Sequence, residues 1–248
     1  MINKIVVELD LPDHIRLPYL GSVLHGVLMD YLPNETASAL HHDYAYSPLK
    51  QRVYYNNEKK IWEIISMSDS LFNELIELFS NEDKFYLKHY QTSLKITTFS
   101  VEKVDVQILM NKLLDDNSLS RYVRINVITP MSFKNNNSSM IFPDLKKFFR
   151  SLMIQFDAFF ENYKFYDKET LEFLEQNVSI VDYRLKSTRF HLEKVKIPSF
   201  TGKIKFKISG PLPFLQLVHF LLAFGECSGS GIKTSIGMGK YTIMEKRL

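Results

Sequence analysis

The pattern of apolar and polar positions gives an order of elements for the first half of the chain. Short apolar or alternating runs predict strands, whereas apolar residues recurring at three and four positions predict helices. A proline at position 33 ends the first helical pattern. The predicted elements are a strand at 5–9, a helix at 19–32, strands at 45–53 and 60–66, a helix at 71–79 and a strand at 92–104.

The second half repeats this order. Its predicted elements are a strand at 121–128, a helix at 143–160, strands at 180–191 and 203–209, a helix at 213–224 and a strand at 240–245, with a polar loop at 135–139. Two successive β-α-β-β-α-β units define an α+β fold of tandem ferredoxin-like (RRM-like) domains. Because residues 113–120 are loop-like, we expect domains at 1–116 and 117–248.

Composition narrows the class of protein. Hydrophobic residues make up 45% and charged residues 24% of the 248 positions, which is typical of a globular chain. A single cysteine, Cys227, excludes an intrachain disulfide and a multi-cysteine zinc site, and favours a reducing cytoplasm. The N-terminus lacks a signal-peptide pattern. The longest apolar stretch, 211–225, contains Gln216 and His219, so it predicts a buried helix rather than a membrane span.

Basic residues are concentrated in the second half, although the net charge is only +3. Eight of them lie between residues 183 and 207, against one acidic residue, Glu193. Lys203, Lys205 and Lys207 alternate with apolar residues, so a strand would place three ammonium groups on one face. Such a face can follow a phosphate backbone, although a run of charges is equally typical of a solvated surface.

A glycine-rich segment at 225–239 separates the last helix from the last strand. Glycine permits positive φ angles and close backbone approach, and successive amides in such a loop can hold a phosphate. The segment is not a P-loop, because Ile232 separates Gly231 from Lys233 and the segment follows a helix. The alternative is a helix C-cap followed by a turn.

This segment resembles the C-terminal signature of the CRISPR-associated repeat-processing endoribonucleases. The resemblance also covers the N-terminal half. The matching stretches are Gly229-Ser-Gly231, Lys233-Thr234-Ser235, Gly237-Met-Gly239, Tyr19-Leu-Gly21, Leu24-His25-Gly26, Leu40-His41 and Tyr46-Ser47-Pro48-Leu49. The resemblance implies metal-independent cleavage of precursor CRISPR RNA. In that reaction a ribose 2′-hydroxyl attacks the adjacent phosphate and leaves a 2′,3′-cyclic phosphate and a 5′-hydroxyl.

The resemblance also implies roles for individual residues. His41 occupies the position of the general acid or base, and the adjacent His42 is its rival; the unperturbed pKa of histidine, about 6.5, suits either role. Tyr31 would lie on the 2′-oxygen side, although its place on the apolar stripe also suits core packing. Lys50 and Arg52 would neutralise the scissile phosphate, Lys50 as a catalytic residue and Arg52 as an RNA-binding residue. The remaining expected RNA-binding residues are Arg184, Arg189, Lys203, Lys205, Lys207, Gly229, Gly231, Lys233, Thr234, Gly237 and Gly239.

The expected partner is CRISPR repeat RNA, with no cofactor, no bound metal and no membrane. A transient contact with a CRISPR effector complex and a homodimer are left open. Two other functions remain as alternatives. One is a non-catalytic guide-RNA-binding subunit, which would not need a histidine near the phosphate. The other is a metal-dependent phosphoesterase using His41, His42 and Asp43, which is disfavoured because three consecutive residues seldom converge on one ion.

Overall fold

The computed structural model describes residues 1–12, 14–17, 20–136, 138–192 and 195–244. Tyr19 of the N-terminal motif and Lys194 of the basic run therefore lie outside the described residues. In chain order the elements are β1 (Ile2–Asp10), α1 (Leu20–Tyr31), α2 (Asn34–His42), β2 (Leu49–Asn56), β3 (Lys59–Ser66), α3 (Asp69–Asn81), β4 (Lys84–Leu87), β5 (Thr92–Val104), α4 (Val106–Leu114), β6 (Tyr122–Met131), β7 (Phe133–Asn135), β8 (Ser138–Met140), α5 (Leu145–Phe159), α6 (Lys168–Asn177), β9 (Val178–Leu192), β10 (Val195–Ile208), α7 (Leu212–Ser228) and β11 (Tyr241–Met244).

The first sheet has the strand order β2-β3-β1-β5-β4. Its central strand β1 pairs antiparallel with β3 and with β5, and Val7 lies opposite both Trp62 and Phe99. The apolar faces of α1 and α3 join this sheet in one core, which includes Leu24, Trp62 and Leu75. Without the edge strand β4, the order is that of a ferredoxin-like β-α-β-β-α-β unit.

The second sheet has the strand order β11-β6-β10-β9, again the ferredoxin-like order. Residues of α5 and α7 share its core with alternate residues of β6 and β10, such as Ile125 and Phe206. The helix α7 is buried along most of its length, as its continuous apolar sequence predicts. Across the described ranges, no helix combines the length and apolar character needed to span a membrane.

The tandem ferredoxin-like arrangement is thus confirmed, and within the described ranges the structure adds elements that the sequence patterns did not predict: α2, β4, α4, β7, β8 and α6. Within the predicted polar loop at 135–139, Asn135 ends β7 and Ser138 begins β8, and these two strands pair antiparallel. Residue 137 of that loop lies outside the described residues. The strand predicted at 45–53 begins later, at Leu49. These differences leave the predicted order of the main elements unchanged.

The chain divides into two compact units, neither of which is one continuous segment. The first comprises Met1–Val104, Phe190–Lys196 and Ser235–Gly237, and the second comprises Asp105–Arg189, Ile197–Thr234 and Met238–Leu248. Helix α4 belongs to the second unit, so the expected boundary after residue 116 lies inside that unit. Two short later segments, Phe190–Lys196 and Ser235–Gly237, therefore complete the first unit.

Candidate functional site

Three histidines come together on two neighbouring helices of the first unit, α1 and α2. His41 and His42 lie exposed in the last turn of α2. The rings of His41 and His42 are 6.2 Å apart between centroids. His25, half-buried on α1, meets the ring of His41 edge-on at 6.0 Å.

Side-chain hydrogen bonds hold the two helices that carry these histidines. The side-chain amide of Gln51 donates to the Gly21 carbonyl at 2.6 Å, which ties the start of α1 to β2. The other end of that amide accepts a hydrogen bond from the Trp62 indole at 2.9 Å. On α2, the Thr36 hydroxyl donates to Glu74 of α3 at 3.0 Å. Both helices are therefore anchored by side chains away from the exposed rings.

Tyr31, another predicted catalytic residue, is half-buried at the end of α1. Its ring packs edge-on against Phe85 at 4.9 Å, and its hydroxyl accepts a hydrogen bond from the Tyr86 amide at 3.3 Å. These contacts join α1 to β4. The geometry gives Tyr31 the packing role that its place on the apolar stripe suggests.

Arg52 is fully buried, which corrects the expectation that it meets RNA at the surface. Its guanidinium donates to the carboxylate of Glu63 at 2.6 Å, and Glu63 is itself fully buried. The Tyr54 hydroxyl donates to the second oxygen of Glu63 at 3.0 Å, and Lys4 lies 3.5 Å from it. A buried carboxylate is stable only when it is paired and hydrogen-bonded, and Arg52 supplies that pairing.

Lys50 is also interior, with 2% of its surface exposed, so it presents no charge at the protein surface. Burial, followed by the nearby charge of Arg52, lowers the pKa of Lys50 to about 7. A low-polarity environment disfavours the ammonium form, and a neighbouring cation adds to that effect. The expectation of a surface lysine beside the scissile phosphate is therefore corrected.

The predicted lysine face lies on the second sheet. Ile204, Phe206 and Ile208 are buried, whereas Lys203 and Lys207 are exposed and Lys205 is half-buried. The ammonium group of Lys205 lies 4.8 Å from the centre of the Tyr122 ring, a cation–π distance. The strand thus has the alternation that the sequence predicts, with its basic side chains on the face away from the core.

Neighbouring strands extend this lysine face. Lys205 pairs with Arg124 of β6 in the antiparallel register, and Arg124 lies 3.8 Å from Asp182 of β9. A groove of about 340 Å³ on this face is lined by Arg124, Asp182, Tyr183, Arg184, Lys203, Ile204 and Lys205. Arg184 and Arg189 are exposed. Sequence reasoning missed Arg124, although its place between Val123 and Ile125 in an alternating strand indicates the same face.

The glycine-rich segment uses its own amides internally. The amides of Gly229, Ser230 and Gly239 donate to the carbonyls of Gly225, Gly239 and Pro130, at 2.9, 3.1 and 2.9 Å respectively. The Gly231 amide donates to the Ser151 hydroxyl at 3.1 Å. These four amides are not directed at a ligand, so the expected phosphate cradle is wrong for them.

Close packing explains why glycine stands at these positions. A Cβ at Gly231 would lie 2.4 Å from the Ser132 carbonyl oxygen, and one at Gly239 would lie 2.1 Å from that of Ser230. Thr234 is buried, and its hydroxyl donates to Gln155 at 3.4 Å. Gly237 is buried and has a φ of +118°. Of the predicted loop contacts with RNA, only Lys233 has an exposed side chain.

Comparison with known proteins identifies the family. The family model described as "CRISPR-associated endoribonuclease Cas6" matches residues 125–241. A Streptococcus thermophilus CRISPR-associated endoribonuclease Cas6 is 33% identical over 236 residues, which cover 92% of this chain and 93% of that protein. A Mycobacterium tuberculosis relative of the same description is 26% identical and covers 96% of this chain and 76% of its own length. The chain therefore belongs to the Cas6 family of CRISPR-associated endoribonucleases.

Solved structures agree in fold. A Cas6 product complex superposes with a TM-score of 0.82 at 19% identity, covering 98% of this chain and all of the other. Thermus thermophilus Cas6 superposes with a TM-score of 0.73, also at 19% identity, and covers 98% of both chains. The tandem ferredoxin-like arrangement is therefore that of the family.

Proposed function

We propose that this protein cleaves precursor CRISPR RNA within its repeats and so produces guide RNAs. The observation that carries the proposal is the exposed His41, which contacts His25, in a chain of the Cas6 family. Imidazole exchanges protons near neutral pH, and an exposed ring can reach the backbone of a bound RNA. The phosphate contacts are assigned to Lys203, Lys205, Lys207, Arg184 and Arg189.

The proposed reaction uses the RNA's own ribose as the nucleophile. The 2′-oxygen bonds to the adjacent phosphorus and loses its proton to a base, while the bond from phosphorus to the 5′-oxygen breaks and that oxygen takes a proton from an acid. The products are a 2′,3′-cyclic phosphate and a 5′-hydroxyl. His41 serves as one of these proton-transfer groups, and His42 is its alternative. Proton transfer of this kind contributes about 10²–10⁴-fold in rate. The reaction requires no metal ion.

The basic face of the second unit supports RNA binding. Cationic groups along a strand neutralise phosphates, and exposed aromatic side chains between them accept unpaired bases. Lys203 and Lys207 are exposed on this face, together with Arg124 and Tyr122. Arg184 lines the groove beside them. Because phosphate contacts carry no sequence information, this face supplies affinity rather than the choice of cleavage site.

The test incubates the purified protein with labelled repeat RNA of its own host in excess EDTA. We expect cleavage at one site, with a cyclic phosphate on the 5′ product. His41→Ala should lose about 10²–10⁴-fold in rate while it still binds RNA. His42→Ala is measured beside it, and His14→Ala is the matched control because His14 is an exposed histidine outside the cluster.

Three results would contradict parts of the proposal. Full activity of His41→Ala together with loss of activity in His42→Ala would transfer the proton-transfer role to His42. Dependence of cleavage on an added divalent metal would refute the metal-free reaction. Tight binding of the repeat without cleavage by the wild-type protein would make this chain a guide-RNA-binding subunit instead of a nuclease.

A further inference from the structure

Gly26 stands in the interior of α1 without a packing reason. Glycine inside a helix is destabilising relative to alanine, so it usually marks a close approach of another group. A Cβ at Gly21 would lie 2.9 Å from the Ile236 carbonyl oxygen, and one at Gly225 would lie 2.0 Å from the Tyr241 hydroxyl. A Cβ at Gly26 would meet nothing within 4 Å. The space above Gly26 is therefore not filled by neighbouring protein atoms and is open to a ligand.

That space is part of a groove of about 520 Å³ in the first unit. One flank of α1 forms its floor, and the segment around the turn between β4 and β5 forms a wall that carries aromatic rings. His89 and Tyr90 pack edge-on at 4.9 Å in this wall, and Tyr86 has 47% of its surface exposed. His191 lines the groove from the returning segment 190–196, and its carbonyl accepts a hydrogen bond from Ser22 at 3.5 Å.

The charges of the groove favour a neutral ligand. Lys88 and Asp30 both line it, and they form an ion pair with each other at 2.9 Å. A paired lysine offers little attraction to a phosphate. Tyrosine and histidine rings, by contrast, stack on nucleobases, and every base offers a π-face. The groove therefore suits a planar, uncharged, hydrogen-bonding group such as a base.

The groove adjoins the candidate catalytic histidines along α1. His25, whose ring contacts His41, directly precedes Gly26. Consecutive residues of a helix point about 100° apart. The side of α1 that carries His25 and the side that lines the groove at Gly26 are therefore adjacent. A base attached beside a phosphate at His41 would therefore reach the groove by passing from one side of α1 to the next.

We propose that this groove binds an unpaired base of the RNA next to the scissile phosphate. The proposal rests on the proposed function, because it takes His41 as the position of the scissile phosphate. Binding there holds the strand across α1 while the phosphate lies at the histidines. Gly26 keeps the floor of the groove clear for the base.

The experiment measures binding, so that it does not depend on the rate of cleavage. The probes are the host repeat RNA with a 2′-deoxyribose at the attacking nucleotide, and the same RNA with an abasic nucleotide on either side of the scissile phosphate in turn. The variants are Gly26→Met, which fills the groove, and Tyr86→Ser, which removes a ring from its wall. Asn73→Met is the control, because it places the same side chain on the exposed face of α3.

One abasic position should weaken binding to the wild-type protein by about fivefold or more, the lower end for loss of one stacked base. The same abasic nucleotide should not weaken RNA binding to Gly26→Met, and it should weaken binding to Tyr86→Ser less than to the wild type. Binding to Asn73→Met should weaken as much as binding to the wild type. Equal losses in Gly26→Met and the wild type, or no loss at either abasic position, would overturn the groove assignment. Neither result would alter the cleavage test with His41, so the two proposals fail separately.

Discussion

Replacing Lys50 by methionine should remove a pH dependence from the stability of the first unit. Lys50 is buried, and its pKa is lowered to about 7 from an ordinary 10.5. Between these two values the unfolded chain holds a proton on Lys50 that the folded protein releases. Because the unfolded state then binds more protons, the free energy of unfolding rises with pH in this window.

The size of the effect follows from the two pKa values. Proton linkage at this one site raises the free energy of unfolding by about 2 kcal/mol between pH 7 and pH 9. Below pH 7 the lysine is protonated in both states, so its contribution changes by less than about 0.5 kcal/mol per pH unit. Lys50→Met, which keeps much of the volume without the charge, should be more stable than the wild type at pH 7 and lose this rise.

Urea titrations followed by tryptophan fluorescence provide the assay, because the chain has one tryptophan and Trp62 is buried in the same sheet as Lys50. Lys84→Met is the matched control, since Lys84 is an exposed lysine of that sheet. The free energy of unfolding of Lys84→Met should rise with pH as it does in the wild type. An equal rise from pH 7 to pH 9 in Lys50→Met and the wild type would refute the reasoning, because the lysine would then not lose its proton on folding.

Two further substitutions test the corrected roles of predicted site residues. Glu63→Gln removes the carboxylate to which Arg52 donates and should lower the free energy of unfolding by about 3–5 kcal/mol. The control Glu8→Gln, in an exposed ion pair, should change it by less than about 1 kcal/mol. Equal effects of the two substitutions in urea titrations would contradict the burial argument. Gly231→Ala introduces a Cβ 2.4 Å from a carbonyl oxygen at a φ of +93° and should cost at least about 1–3 kcal/mol in thermal unfolding. Unchanged stability with weakened RNA binding would restore Gly231 as an RNA contact.

Long periodic elements could be predicted from the sequence, whereas short or polar ones could not. The helices α5 and α7 and the strands β6 and β10 carry clear apolar patterns. Helix α2 buries none of its residues, so its sequence has no apolar stripe to reveal it. Strand β4 has only four residues and gains its order from pairing with β5.

The burial of the candidate site residues could be predicted only in part, because it depends on contacts that are distant along the chain. Strand periodicity marks the exposed lysines of β10, whereas the role of His41 rests on the resemblance and stays a prediction. The burial of Lys50 and Arg52 could not be read from their own strand, where polar residues occupy consecutive positions. Glu63 was the available signal, since a carboxylate inside the apolar run Ile61–Ile65 requires a buried cation as its partner.

The discontinuous first unit has a consequence for how the protein is made. A ribosome releases the chain from the N-terminus, and domains generally fold as they emerge. Here the first unit includes Ser235–Gly237, which follows a long stretch of the second unit, Ile197–Thr234. The part that bears the histidines is therefore incomplete until the chain has been synthesised through Gly237. An N-terminal fragment ending at Val104 would lack both returning segments, so cutting the gene between the two units does not yield the first unit whole.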